Sequence, residues 1–281
     1  MFKKQLMAVL VTTVLSSVAY AETHGHDHMR VEHAPDGPAC TGYGPQAPRD
    51  IDSKHGENKV YFGSAPDYKQ MNLCNIHFHV NAEHKARDFA IEDEHGHGGY
   101  QCSISKQLTA AELAPTAEPV CPSEHGPLKP GDTIEVHWVH STAPVYPGPT
   151  LGACMDDKVK NPDLRVEAQV FTLVNDPNAL DFNAMGYRGK VASSFHQAEN
   201  IPSNTGKPVV FSGSTTGPKY SDQTCSPLQV TWSVRPTCAK LNINSIAKWC
   251  KGNAFKEDHA HGVRKLVTSP ALLSEIHGDK H

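Results

Sequence analysis

Residues 73–81 have the sequence Leu-Cys-Asn-Ile-His-Phe-His-Val-Asn, in which apolar and polar side chains alternate. Residues 132–140, Asp-Thr-Ile-Glu-Val-His-Trp-Val-His, alternate in the same way and follow a Lys-Pro-Gly turn signal. Successive side chains of a strand point to opposite faces of a sheet, so this pattern predicts two strands. Further strands are predicted where Val, Phe, Thr and Trp are frequent, at 164–174, 207–213 and 228–235.

Helical signals are few. Short helices are predicted around 108–114 and 268–277, and the segment 141–163 is rich in Pro and Gly and is predicted to be loop. The sequence shows no internal repeat and no clear domain boundary after residue 60. It therefore predicts a mainly β protein with few short helices, built as a single domain on a central, mostly antiparallel twisted β-sheet.

The amino terminus has the order of a secretory signal. Two lysines are followed by an apolar run over 6–18 and by Ala-Tyr-Ala ending at Ala21. That run is too short to span a bilayer, and no later segment is apolar enough, so we expect no stable membrane insertion. We predict cleavage after Ala21 and export to the periplasm or out of the cell. The predicted division is a signal peptide over 1–21, a His-, Pro- and Gly-rich arm over 22–60 and a β-domain over 61–281.

The cysteine content indicates disulfides, and the charge pattern argues against some classes of protein. The chain of 281 residues has eight cysteines and a formal net charge of −4. An even number of cysteines in an exported chain is typical of disulfides, up to four here, but their pairing is open. No C-x-x-C spacing occurs, which argues against a thiolate zinc site. Without a basic stripe carrying aromatic residues, we expect no nucleic-acid partner.

The histidines of the two alternating stretches predict a metal site. His77 and His79 point to the same face of their strand, and His137 on the second strand is the best candidate for a third donor. Three neutral imidazoles leave a fourth tetrahedral position open for water, as in catalytic zinc sites. Asn75 and Glu135 each precede a candidate ligand by two residues, where an oxygen can accept the second ring N–H. We predict Zn²⁺, with Co²⁺ or Cd²⁺ as possible substitutes, because imidazole binds several divalent ions.

These stretches resemble the metal-site strands of carbonic anhydrases. Residues 75–85, Asn-Ile-His-Phe-His-Val-Asn-Ala-Glu-His-Lys, are similar to the delta class. His-Phe-His, Glu-His and Glu-x-His-x-x-His occur in the order seen in the alpha class. The similarity extends to Phe-Ser-Gly-Ser-Thr-Thr-Gly-Pro over 211–218 and to Val-Thr-Trp over 230–232. It covers roughly residues 40–250.

The resemblance implies a carbonic anhydrase, a zinc lyase that hydrates CO2 reversibly to bicarbonate and a proton by a zinc-hydroxide mechanism. It implies an alpha-class-like fold, with His77, His79 and His137 as the zinc ligands. Asn75 and Glu135 match residues that orient those ligands. CO2 and bicarbonate are then the expected partners.

Four other positions match residues of the catalytic pocket. Glu83 matches the buried acid that orients a threonine hydroxyl, and Thr216 matches that threonine, although a one-residue gap would select Thr215 instead. Val139 and Trp232 match walls of the apolar CO2 pocket. The sequence offers no match for a proton-shuttle histidine, and the remaining histidines of the matched motifs, His84 and His140, are expected to be structural.

Other histidines lie in acidic patches at 92–97 and 258–261 and in the arm. We interpret these patches as solvated loops, and weak metal capture is the alternative. Two other functions stay open. One is an exported zinc- or copper-buffering protein without catalysis, which would hold several ions per chain. The other is a cupin-like metalloenzyme, since the spacing of His77, His79 and Glu83 fits half of that pattern.

Overall fold

The computed structural model describes Cys40, residues 42–190 and residues 194–277. The predicted signal peptide and the arm up to residue 39 lie outside the described residues. Residues 42–60 of the predicted arm contain no helix or extended strand, but Ala47 and Arg49 within them are fully buried. The guanidinium of Arg49 donates hydrogen bonds to the carbonyls of Ser53, His55 and Ser274, so this segment packs against the rest of the domain.

The described chain is mostly β-structure. Its strands are β1 (Asn72–Val80), β2 (Phe89–Glu92), β3 (Tyr100–Cys102), β4 (Val120–Ser123), β5 (Gly126–Leu128), β6 (Thr133–Ser141), β7 (Leu164–Val174), β8 (Tyr187–Lys190), β9 (His196–Ala198), β10 (Val209–Ser214), β11 (Gln229–Val234) and β12 (Ala239–Asn242). One α-helix, α1, covers Ile243–Cys250, and short 3₁₀ helices cover Tyr68–Gln70, Ser103–Gln107, Leu151–Cys154, Phe182–Met185 and Pro270–Leu272. The prediction of a mainly β protein is confirmed.

The central sheet has the strand order β1-β6-β7-β11-β10, and β12 also pairs with β7. The pairs β1/β6, β6/β7 and β10/β11 are antiparallel, whereas β11 and β12 both run parallel to β7. The long strand β7 accommodates both, because β11 pairs with its first half and β12 with its second half. The sheet is therefore mixed but mostly antiparallel, as the sequence predicted, since three of its five strand pairs are antiparallel.

The helix predictions are wrong. Residues 110–113 form only a turn, and 268–277 contains only a three-residue 3₁₀ helix. Beyond that helix the chain is extended, and the Ile276 N–H donates to the carbonyl of Lys54 (2.9 Å). The α-helix lies instead at α1, where the Asn242 side chain caps the first turn by accepting from the Asn244 N–H.

The two faces of the sheet are both buried, but differently. On the face opposite the histidines, Phe78 of β1 and Trp138 of β6 belong to an apolar cluster. In this cluster Phe78 contacts Trp249 of α1 and Phe182 of the 3₁₀ helix at Phe182–Met185. The other face packs Trp232 and other side chains of β6, β7 and β11 into a second cluster. Alternation along β1 and β6 therefore sends apolar rings to one side and the candidate metal ligands to the other.

Disulfides join all eight cysteines of the sequence. The pairs are Cys40–Cys225, Cys74–Cys154, Cys102–Cys238 and Cys121–Cys250. Four disulfides indicate an oxidising environment of the kind that exported proteins meet. Within the described residues, no helix has the length and apolar character needed to cross a membrane.

Candidate active site

Three imidazoles converge on one face of the sheet. His77 and His79 project from the same face of β1, and His137 of β6 is paired directly with His77 across the antiparallel ladder. The ring centroids lie 5.1 Å apart for His77 and His79, 5.1 Å for His77 and His137, and 4.7 Å for His79 and His137. One nitrogen from each ring lies within 4.8 Å of the others.

Hydrogen bonds decide which nitrogen of each ring faces the centre. His77 donates from Nδ1 to Asn75 Oδ1 (2.6 Å), and His79 donates from Nδ1 to the carbonyl of Gly262 (2.9 Å). His137 donates from Nε2 to Glu135 Oε1 (2.8 Å). The nitrogens left for the centre are Nε2, Nε2 and Nδ1 respectively. A neighbour that accepts the other ring N–H is the usual way in which a ligand histidine is aimed.

Burial keeps the rings of His77 and His79 uncharged. It lowers the pKa of His79 to about 4. Burial, together with the neighbouring rings of His137 and His79, holds the pKa of His77 well below its usual range. A histidine binds a metal ion through an unprotonated nitrogen, so these two rings are in the ligand state at neutral pH.

The geometry fits a tetrahedral divalent ion. His77 Nε2 and His137 Nδ1 lie 3.3 Å apart. Two nitrogens bound to one Zn²⁺ at about 2.0–2.1 Å and a tetrahedral angle would be roughly 3.3 Å apart. His79 Nε2 is buried and has no hydrogen-bond partner in the described part of the chain, which a metal ion would supply. Imidazole donors suit Zn²⁺ and its first-row neighbours.

Glu135 is a buried carboxylate shared by two histidines. Besides His137, its Oε1 accepts from His84 Nδ1 (2.7 Å), and its Oε2 accepts from the His84 N–H (3.0 Å). Burial by itself raises the pKa of Glu135, but His84 and His137 outweigh it and hold that pKa well below its usual range. The carboxylate is therefore charged and is hydrogen-bonded to the rings of both His84 and His137. Glu135 also forms, with these two histidines, a second group whose ligand atoms lie within 4.8 Å of one another.

The three rings lie at the base of a cavity of about 440 Å³. One wall is apolar and includes Val139 and Trp232, the residues that the sequence places in a CO2 pocket, together with Val166 of β7 and Val230 of β11. Both Thr215 and Thr216 line the cavity as well. The site therefore combines three converging ring nitrogens with apolar side chains in the same cavity.

The structure does not join Glu83 to a threonine. Glu83 is fully buried, its Oε1 accepts from the Arg264 N–H (2.9 Å), and its Oε2 has no hydrogen-bond partner among the described residues. The Thr215 hydroxyl is hydrogen-bonded to Ser226. Thr216 lines the same cavity as the three histidines.

Two further residues, Glu257 and His261, belong to the cavity and were missed by the sequence analysis. Glu257 Oε1 accepts from Asn75 Nδ2 (3.1 Å) and its Oε2 from His261 Nε2 (2.7 Å). The first bond holds the Asn75 side chain with its amide oxygen toward His77. Glu257 therefore supports the position of His77 indirectly, through Asn75. Burial alone raises the pKa of Glu257, but the hydrogen bonds from His261 and Asn75 leave that pKa below its usual value.

His261 corrects the interpretation of 258–261 as a solvated loop. Its ring centroid is 5.5 Å from that of His77, and a short parallel bridge joins its backbone to His79 of β1. The signal available in the sequence was a second His-x-His spacing, at His259 and His261, but it lacks the alternating apolar residues that identify a strand.

The fold and the site define a β-sheet protein with three converging histidines that could hold a metal ion. The model of the delta carbonic anhydrase family matches residues 68–245, which is more than half of the chain. The chain therefore belongs to the delta carbonic anhydrase family and is an enzyme of the carbonic anhydrase class.

Two other comparisons concern curated proteins and solved structures. No curated protein matches the chain. Among solved structures, the chain is similar to an alpha-carbonic anhydrase from Thermovibrio ammonificans in complex with the inhibitor sulfanilamide, with 16% sequence identity, coverage of 79% of this chain and 84% of that chain, and a TM-score of 0.27.

Proposed function

We propose that the chain catalyses the reversible hydration of CO2 to bicarbonate and a proton at a zinc centre held by His77, His79 and His137. The convergence of three ring nitrogens in a cavity that is also lined by apolar side chains supports this proposal. A Zn²⁺ held there would supply a nucleophile at neutral pH, since it lowers the pKa of bound water to about 7, a value measured on carbonic anhydrase itself.

The chain's own residues would bind and orient the reactants. Val139 and Trp232 would offer CO2 an apolar surface in the cavity. Glu83 Oε2, which has no hydrogen-bond partner among the described residues, would accept a hydrogen bond from the Thr216 hydroxyl. The Thr216 oxygen would then accept a hydrogen bond from the attacking group and orient it. Asn75 and Glu135 would hold two of the ligand rings in place.

We further propose that the chain is exported after cleavage following Ala21. The four disulfides support this proposal, because they need an oxidising compartment. Amino-terminal sequencing of the protein recovered from its native compartment should begin at Glu22.

The central test is CO2 hydration by the purified protein before and after chelation. Activity should be lost on chelation, return when Zn²⁺ is added back, and be inhibited by a sulfonamide, which would occupy the open position of the metal. His137→Ala should lose both the bound zinc and the activity, because one of three ligands is gone. Full zinc occupancy with normal hydration in that variant would remove His137 from the centre.

The same measurements separate the alternatives. A metal-buffering protein would bind several ions in the purified chain and show no hydration activity. A cupin-like site would need Glu83 as a ligand. Among the described residues, however, no group of three ligand atoms that lie within 4.8 Å of one another includes Glu83.

A further inference from the structure

A second pair of histidines lies away from the three-histidine centre. The ring centroids of His97 and His125 are 5.4 Å apart and their planes are at 87°. His77 and His137, which converge at the centre, have almost the same relation, at 5.1 Å and 88°. The two rings of the outer pair are therefore close enough for one ion between them to contact both.

Two hairpins hold this outer pair in place. His97 lies in the β2–β3 loop, and its backbone N–H donates to Asp93 Oδ2 (2.8 Å). His125 lies in the β4–β5 turn, and its backbone N–H donates to Ser123 Oγ (3.0 Å). These bonds fix the backbone of both residues, and both side chains line a common cavity of about 310 Å³.

The surroundings carry excess negative charge. Glu124 Oε1 lies 3.7 Å from His125 Nε2. Asp93 and Asp132 line the same cavity, where Lys129 is the opposing charge. Within the described residues, no third His, Cys, Asp or Glu joins this pair with all ligand atoms inside 4.8 Å. Water or a rotated carboxylate would therefore complete the coordination of an ion.

We propose that His97 and His125 form a second site for a divalent transition-metal ion such as Zn²⁺, Ni²⁺ or Cu²⁺. Imidazole selects these ions over Ca²⁺ and Mg²⁺, which prefer oxygen ligands. The site is independent of the proposed CO2 chemistry. The second site lies beside the segment that orients His79. His125 Nε2 is 3.1 Å from the position that a Cβ on Gly262 would occupy. The carbonyl of Gly262 in turn accepts the hydrogen bond from His79.

The test counts ions on the full chain. Protein whose three-histidine centre is already loaded with Zn²⁺ is dialysed against Ni²⁺, and bound nickel is measured by elemental analysis. His97→Gln/His125→Gln should bind one Ni²⁺ fewer than the wild type. His55→Gln is the matched control, because His55 also lies beside a carboxylate, with its Nε2 3.3 Å from Glu57, and this variant should bind as much nickel as the wild type.

Equal nickel binding by the double variant and the wild type would overturn the proposal. Circular dichroism and retained zinc show whether the double variant is folded. A second measurement needs no variant: a wild-type crystal soaked in Ni²⁺ should show an anomalous scattering peak between the two rings. A soaked crystal without that peak would equally overturn the site.

Discussion

A histidine ring offers two nitrogens, and single neighbouring residues decide which of them faces the centre. Asn75, the Gly262 carbonyl and Glu135 each take one ring N–H and thereby free the other nitrogen. Two of these three neighbours, Asn75 and Glu135, were predicted from the alternation, because each lies two residues before a candidate ligand. The Gly262 carbonyl comes from a distant segment that no local pattern could indicate.

Glu135→Gln tests this orienting role. An amide keeps the size of the side chain but loses the charge that strengthens the His137 bond, so zinc affinity should fall roughly 10- to 100-fold. Competition with a fluorescent chelator measures the affinity directly. Glu118→Gln is the control and should leave the affinity unchanged, because Glu118 is exposed and pairs with Lys251. Unchanged affinity in Glu135→Gln would contradict its role.

A pair of variants decides between the two threonines. Thr216→Ala should lower kcat/KM for CO2 hydration by about 100-fold, the usual effect of losing one oriented hydrogen-bonding group in an active site. Thr215→Ala should change kcat/KM much less, because its hydroxyl is already bonded to Ser226. Its cost should appear as lower stability, by about 1 kcal/mol. The reverse ranking of the two variants in kcat/KM would assign the role to Thr215.

At the scale of elements, the pairing of β1 with β6 creates the centre. The register places His77 opposite His137 and His79 opposite Glu135. A slip of one residue would turn every side chain of one strand to the other face, and the three rings would no longer meet. The apolar side chains on the opposite face, with Phe78 between the two ligands of β1, hold this register by packing against Phe182 and Trp249.

Phe78→Ala should therefore destabilise the protein. Phe78 is fully buried, and removing a buried phenylalanine ring typically costs about 3–5 kcal/mol. Urea unfolding followed by circular dichroism measures the loss. Val210→Ala on the edge strand β10, where the side chain is 44% exposed, should change stability by less than about 0.5 kcal/mol. A loss below 1 kcal/mol for Phe78→Ala would show that this face does not hold the register.

At the scale of the whole molecule, burial of uncharged histidines links stability to pH. His140 is fully buried, and this burial lowers its pKa from 6.5 to about 3, although a hydrogen bond to the Trp138 carbonyl opposes the shift. Below pH 6.5 the unfolded chain binds a proton that the folded chain refuses until about pH 3. The uncharged His140 ring therefore does not reduce the free energy of unfolding above pH 6.5, and that free energy decreases as the pH falls below this value.

The free energy of unfolding should decrease as pH falls from 7 toward 4, by up to about 1.4 kcal/mol per pH unit for each such ring. Urea titrations at pH 7, 6 and 5 measure the slope. His140→Gln removes the titrating ring and should flatten that slope, even if its stability at pH 7 is lower. A slope that is the same in His140→Gln and in the wild type would contradict this linkage.

The sequence by itself determined what local chemistry can determine. The period-two pattern of 73–81 and 132–140 predicted β1 and β6, and the strand predicted at 164–174 is β7 with the same bounds. The positions of His77, His79 and His137 within those patterns predicted a metal site, and the surrounding motifs indicated the family. These features depend on neighbouring residues along one chain, so they are visible without coordinates.

The tertiary structure decided everything that joins distant parts of the chain. It paired the eight cysteines, laid β11 and β12 parallel to β7, and brought Glu257, His261 and Gly262 to a site built mainly on β1 and β6. It also brought His97 to His125 across two hairpins. Such contacts form between segments that are far apart along the chain, and no local sequence pattern indicates which segments will pack together. They are therefore visible only in the folded molecule.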